Sequence, residues 1–201
     1  MNGGPEHIVL RDIAPQPWKN GAGLTRELAV SPVGATTADF DWRLSVADVT
    51  RDAPFSVFPG IDRHIALLHG AGMLLRFLHS THRLDVPLEP FRFSGDESLS
   101  AELIDGPTVD FNVMVRRDRC RARVDSGKQV DVPAATAGLL LCWAGTGEVH
   151  GADDRAATRT LGPGEALLWR HRMPALRARI TTASGGLLLV RLDALCQDRP
   201  R

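Results

Sequence analysis

An all-β protein with little helix is the fold class this sequence predicts, on three observations. Apolar and polar residues alternate with period 2 in several segments, apolar runs of four or five residues lie between them, and Gly or Pro interrupts at short intervals. No segment carries a sustained 3.6-residue apolar stripe between caps, so any helices should be short. Many short strands joined by tight turns build a sandwich or a barrel.

Taken in order, the turn Pro17-Trp18-Lys19-Asn20-Gly21-Ala22-Gly23 opens into a strand-like segment, Leu24–Val30. Thr25 and Glu27 share one of its faces; Leu24, Arg26 and Leu28 share the other. In Phe40–Val46, the residues Phe40, Trp42, Leu44 and Val46 oppose Asp41, Arg43 and Ser45. Pro54–Gly60 is a turn leading through Asp62-Arg63-His64 into Ile65–Leu68, a run apolar enough for a strand buried on both faces. After Gly106-Pro107, Asp110 and Asn112 share one strand face. Cys120, Ala122 and Val124 alternate with Arg119, Arg121 and Arg123, and Leu176, Ala178 and Ile180 with Arg177 and Arg179. Leu139–Trp143 and Leu187–Val190 are further buried strands.

A weak repeat runs through this order. Ile65-Ala66-Leu67-Leu68-His69-Gly70-Ala71-Gly72 resembles Leu139-Leu140-Leu141-Cys142-Trp143-Ala144-Gly145-Thr146-Gly147, at an offset of 75 residues between Gly72 and Gly147. Later in each half comes a Gly turn with an acid, Ser94-Gly95-Asp96 and Gly162-Pro163-Gly164-Glu165. That rhythm is the rhythm of a cupin barrel, and two copies predict a bicupin, two cupin barrels or sandwiches in one chain. The expected organisation is a single compact domain over 1–201, with approximate halves 1–118 and 119–201.

Composition narrows the function. Lys+Arg and Asp+Glu balance at 24 each in 201 residues, so no net field gathers a polyanion and no nucleic-acid partner is expected. No apolar run nears the roughly 18 residues that span a bilayer, and the N-terminus lacks the regions of a signal peptide. Cys120, Cys142 and Cys196 are odd in number and widely spaced, against a disulfide framework or zinc site. These features predict a cytoplasmic protein without a membrane partner; a homodimer is compatible with them.

Metal ligands are not expected. His64 and His69 are five residues apart, on opposite strand faces; His79 and His82 flank Ser80-Thr81; His150 and His171 are isolated. No G-x-S-x-G elbow, phosphate-binding Gly loop or activated Cys is present, so no catalytic residue and no cofactor is assigned. Five arginines between Arg116 and Arg123 are diluted by Asp118 and lack interleaved aromatics, which fits a solvated strand face.

The polar strand pair remains. If Leu24–Val30 pairs with Phe40–Val46, Glu27 meets Arg43 across the sheet, leaving guanidinium and hydroxyl donors for a ligand carboxylate. Arginine forks with hydroxyl and amide groups are what a small carboxylate needs. The expected pocket is Asn20, Thr25, Arg26, Glu27, Arg43, Ser45, Arg63, Asp110 and Asn112, with Arg43 and Arg63 as anchors. An internal ion-pair network that fixes the strands accounts for the same spacing equally well.

Four ordered motifs, Trp18–Glu27, Phe40–Ala47, Phe55–Arg63 and Asp105–Met114, together resemble the HutD/Ves family. The resemblance is specific from Pro17 to Arg117. One departure is Ala22, where the family usually has the middle of three glycines after the Asn. The resemblance implies a bicupin without a catalytic metal, in a bacterial cytoplasm. It implies an accessory or regulatory factor of histidine degradation that binds a formylglutamate- or urocanate-type ligand; Ves-type members are associated with stress response instead. The competing class is a metal-independent cupin enzyme, an isomerase or hydrolase on a related small amide, acid or sugar. Glu27 and Asp110 would be its acid–base candidates and His64 a weaker one. A scaffold that joins proteins through sheet edges has no positive sequence feature.

Overall fold

The computed structural model describes residues 4–134, 137–151 and 158–195. Cys196 and the first three residues lie outside them. The chain is all-β: the single helix among the described residues is the 3₁₀ turn Leu10–Asp12. None of the helical structure described is long and apolar enough to cross a membrane.

The chain divides into two compact units, one spanning Ile13–Cys120, the other built from the described residues of Met1–Asp12 and Arg121–Asp198. The strand Glu6–Val9 pairs with Glu165–Trp169 and so joins the later unit.

Each unit is two sheets around one core. In the Ile13–Cys120 unit the larger sheet runs Gln16–Pro17, Gly23–Ser31, Trp42–Val49, Thr108–Arg116, Ile61–His69, Pro90–Ser94. The smaller runs Ala53–Pro54, Leu99–Leu103, Met73–Phe77, Thr81–Leu84. Val49, Ile65 and Leu67 from the first pack with Met73, Leu75 and Leu99 from the second. In the other unit the larger sheet is Glu6–Val9, Glu165–Trp169, Ala137–Ala144, Gly186–Ala194, Cys120–Gly127. Its smaller sheet is Gln129–Val132, Leu176–Ile180, Gly147–Gly151, Arg159–Leu161, and Leu140, Leu167 and Leu189 pack with Val132, Val149 and Ala178 between them.

The two units repeat one strand order. Trp42–Val49, Thr108–Arg116, Ile61–His69 and Pro90–Ser94 correspond to Cys120–Gly127, Gly186–Ala194, Ala137–Ala144 and Glu165–Trp169, and the smaller sheets correspond strand for strand. The sequence repeat is the visible trace of this. Gly70 and Gly145 sit at the same turn with φ of 96° and 80°, a region open to Gly and closed to most side chains.

Among the described residues no sheet closes on itself, so the units are sandwiches and not closed barrels. Proline supplies a reason in the Ile13–Cys120 unit: Pro17, Pro54 and Pro90 sit on edge strands, where a missing N–H ends the ladder. One irregularity matters later. The strand Gly23–Ser31 bulges, Glu27 pairing with Ser45 and Ala29 with Leu44, so that Leu28 is the extra residue.

Candidate functional site

Register decides which side chains meet. In the larger sheet of the Ile13–Cys120 unit, Glu27, Ser45, Asn112 and Ile65 form one cross-strand row. The adjacent rows are Val30, Arg43, Met114, Arg63, Phe93 and Thr25, Ala47, Asp110, Leu67. Cross-strand neighbours point to the same face. That face also carries Val49, Ile65 and Leu67, so it is the core face. Thr25, Glu27, Arg43, Ser45, Arg63, Asp110 and Asn112 therefore share this face, Ser45, Arg63, Asp110 and Asn112 buried and Thr25, Glu27 and Arg43 half-buried.

Arg63 is the centre of this set. It is 6% exposed, and its guanidinium carbon stands 4.9 Å from the ring centroid of Phe93, 5.2 Å from Phe55 and 5.7 Å from Phe58. Its Nη2 donates to Asn112 Oδ1 at 3.1 Å, while its buried Nε has no hydrogen-bond partner. Among the described residues no carboxylate oxygen comes within 4.0 Å of it. Burial pulls its pKa down to about 10, with Asp110 opposing and Arg43 adding to the fall, so it stays charged at neutral pH. A buried cation without a carboxylate partner is costly unless something else supplies the anion.

Asp110 is fully buried. Its Oδ1 accepts from Asn112 Nδ2, and its Oδ2 has no partner. Burial drives its carboxyl up to about 7, against the pull of Arg63 and the Asn112 hydrogen bond, with Asp48 reinforcing the rise. The Asn112 amide thus links cation and acid without a direct ion pair. Beside them Arg43 Nε donates to Glu27 Oε2 at 2.6 Å, the pair expected from the sequence. Trp18 Nε1 donates to Thr25 Oγ1 at 2.7 Å, and its ring meets Phe55 edge-on.

Two expected residues lie elsewhere. Arg26 is on the opposite sheet face, where its Nη1 donates to Asp48 Oδ2 at 2.5 Å; strand alternation separates it from Thr25 and Glu27. Asn20 sits in the exposed turn, its Oδ1 accepting the Ala22 N–H at 3.0 Å and its backbone oxygen an Arg51 Nη2 hydrogen bond at 2.6 Å. It shapes the turn that launches the strand. Gly23 is needed there, because a Cβ would stand 2.5 Å from the Asp48 carbonyl oxygen. Ala22 replaces a glycine without strain: among described non-glycine residues only Leu88 has positive φ, and the Ala22 methyl is buried.

The aromatic box was missed at the sequence level, although Phe55 and Phe58 stand in the same motif as Arg63. His64 points to the other face, opposite Val113 and Arg92. The arginine-rich stretch is largely engaged: Arg117 bonds Asp62 at 2.8 Å and Asp96 at 2.7 Å, and Arg119 bonds Asp41 at 2.9 Å. Among the described residues no group of three His, Cys, Asp or Glu side chains is placed to hold a metal ion.

The second unit provides an internal control. Aligned on Gly70 and Gly145, Arg63 corresponds to Gly138, and register then equates Asp110 with Leu187 and Asn112 with Leu189. Trp169, the counterpart of Phe93, fills the space over Gly138, its ring 2.5 Å from where a Cβ would be. The same topology is therefore built without counterparts of Arg63, Asp110 and Asn112, although Arg191, paired with Asp125 at 2.5 Å and with a buried unpartnered Nε, stands in the row of Gly138 and Trp169. Moreover, Thr25 and Glu27 come from a strand, Gly23–Ser31, that has no counterpart among the described residues of the other unit.

Fold and site define an all-β, cupin-like protein with a cluster of charged and polar side chains in one of two repeated units. Comparison with known proteins agrees: a cupin 2 conserved barrel domain protein from Leptotrichia buccalis superposes with a TM-score of 0.59 at 10% identity, over 95% of this chain and 98% of that one. The chain belongs to the HutD family, whose model matches residues 10–188. HutD from Pseudomonas fluorescens SBW25 is 29% identical with a TM-score of 0.80, covering 95% of this chain and 99% of the other. Protein Ves from Citrobacter koseri is 41% identical over 121 residues, 59% of this chain and 62% of the relative's length.

Proposed function

We propose that this chain is a bicupin accessory protein that binds a small carboxylate in the Ile13–Cys120 unit, with no metal required. The observation that carries this reading is Arg63, buried and charged, with an unmet Nε and no carboxylate within 4.0 Å among the described residues. Arg43 is the second anchor, oriented by Glu27. Ser45, Thr25 and Asn112 supply the remaining hydrogen-bonding groups, and Phe55, Phe58 and Phe93 wall the site. Family membership supports a HutD-like accessory role, with a formylglutamate- or urocanate-type ligand, in the histidine degradation of a bacterial cytoplasm. Isothermal titration with N-formylglutamate and urocanate, followed by product analysis, tests it. Saturable binding with unaltered ligand is the expected result; absence of binding by both overturns it.

A second reading rests on one observation. Asp110, held near 7 in a dry interior, has the acidity of a general acid–base group. Conversion of either ligand in the same experiment makes the protein an enzyme.

A further inference from the structure

The geometry points to proton-coupled binding: the pocket takes its carboxylate together with a proton that lodges on Asp110. This rests on the carboxylate-binding reading above and deepens it.

Arg63 Nε and Asp110 Oδ2 are both buried without partners, and the two side chains are joined only through the Asn112 amide. Arg63 is the main charge favouring the ionised form of Asp110. A ligand carboxylate that docks on Arg63 neutralises that influence and adds a second negative charge in the same interior. Two carboxylates in one low-dielectric site do not both stay ionised. The ligand is held by a permanent cation, so the proton goes to Asp110. Its Oδ2 then turns from an unpaired acceptor into a donor available to a ligand oxygen.

The surroundings leave few other places for the proton. On neighbouring strands Asp110 has Arg63, Arg43, Glu27 and, through the sheet, Asp48; Glu27 and Asp48 are each committed to an arginine. The facing smaller sheet brings apolar Met73, Leu75 and Leu99 into the same core, with His82 outside them, stacked on Phe91. The two carboxylates of N-formylglutamate are ionised above pH 6, so this probe brings no titration of its own.

The test is calorimetric titration of the full chain with N-formylglutamate from pH 6 to 9, repeated in buffers of different ionisation enthalpy. At pH 8 the dependence of observed heat on buffer should give an uptake approaching one proton per site, and affinity should fall about tenfold per pH unit above pH 7. In Asp110→Asn the proton uptake should vanish and the pH profile flatten. Wild-type binding without proton uptake overturns the coupling and leaves the binding reading intact. Uptake that persists in folded Asp110→Asn overturns the assignment to Asp110. Absence of binding at every pH overturns both. If Asp110→Asn does not fold, the wild-type proton count and pH slope still decide.

Discussion

At the residue scale, Asp110 makes a stability statement as well as a binding one. Its carboxyl rises from 3.8 to about 7 on folding, so the protonated form favours the fold. Below the unfolded value both states carry the proton. Between the two values the unfolded chain ionises first, and stability falls by up to about 1.4 kcal/mol per pH unit. Above pH 7 the loss is complete. Asp110→Asn removes this slope, so the variant's melting temperature relative to wild type should climb between pH 4 and 7 and then level off. A constant difference across that range would place Asp110 in the ordinary carboxylate range. Arg43 tests the anchor. It is 15% exposed and its partner Glu27 is 36% exposed, so truncation leaves a carboxylate that water reaches. Arg43→Ala should remain folded by circular dichroism yet lose roughly 2–5 kcal/mol of ligand affinity by titration.

At the element scale, the turn before Gly23–Ser31 governs whether Thr25 and Glu27 reach the core face. Gly23→Ala places a methyl against the Asp48 carbonyl and 3.2 Å from the Trp18 ring, neither of which is a flexible tip. It should cost about 1–3 kcal/mol in denaturant unfolding. Ala22→Gly removes a buried methyl and frees the unfolded chain. It should cost about 0.5–1 kcal/mol. This scale also shows what the sequence made legible. Alternation in Leu24–Val30 and Phe40–Val46 was enough to pair Glu27 with Arg43, because a face is a local property. It equally sent Arg26 away from Thr25, and the structure keeps it there. The Phe55, Phe58 and Phe93 box was not legible, because proximity between a turn and two strands depends on tertiary folding. Nor was the role of Asn20, whose amide serves its own turn.

At the scale of the whole molecule, the repeat was readable from its Gly turns, since positive φ leaves a compositional mark. The placement of Glu6–Val9 was not, because four residues carry too little pattern to name a partner 158 positions away. That placement predicts a separable effect. Removing the residues before Leu10 uncovers the Glu165–Trp169 edge. Hydrogen exchange should then rise at the alternate amides of Glu165–Trp169 that face Glu6–Val9, while ligand titration, which reports on Ile13–Cys120, should be unchanged. Weakened binding in the truncated chain would mean that the site depends on the other unit.

The bulge at Leu28 has a consequence for how this strand tolerates change. Before it, odd-numbered positions face inward and include Thr25 and Glu27; after it, even-numbered Val30 does, packing with Phe40, Ile61 and Met114. The extra residue acts as a phase shifter, reversing the parity of a continuous strand midway. Deleting Leu28 would regularise the ladder and leave both stretches facing as they do, Glu27 beside Ser45 and Val30 beside Arg43. The least regular point of the strand is therefore where a change of length is best absorbed: the bulge takes up one surplus residue, while insertion or deletion elsewhere would throw the charged cluster at one end out of phase with the oily plug at the other.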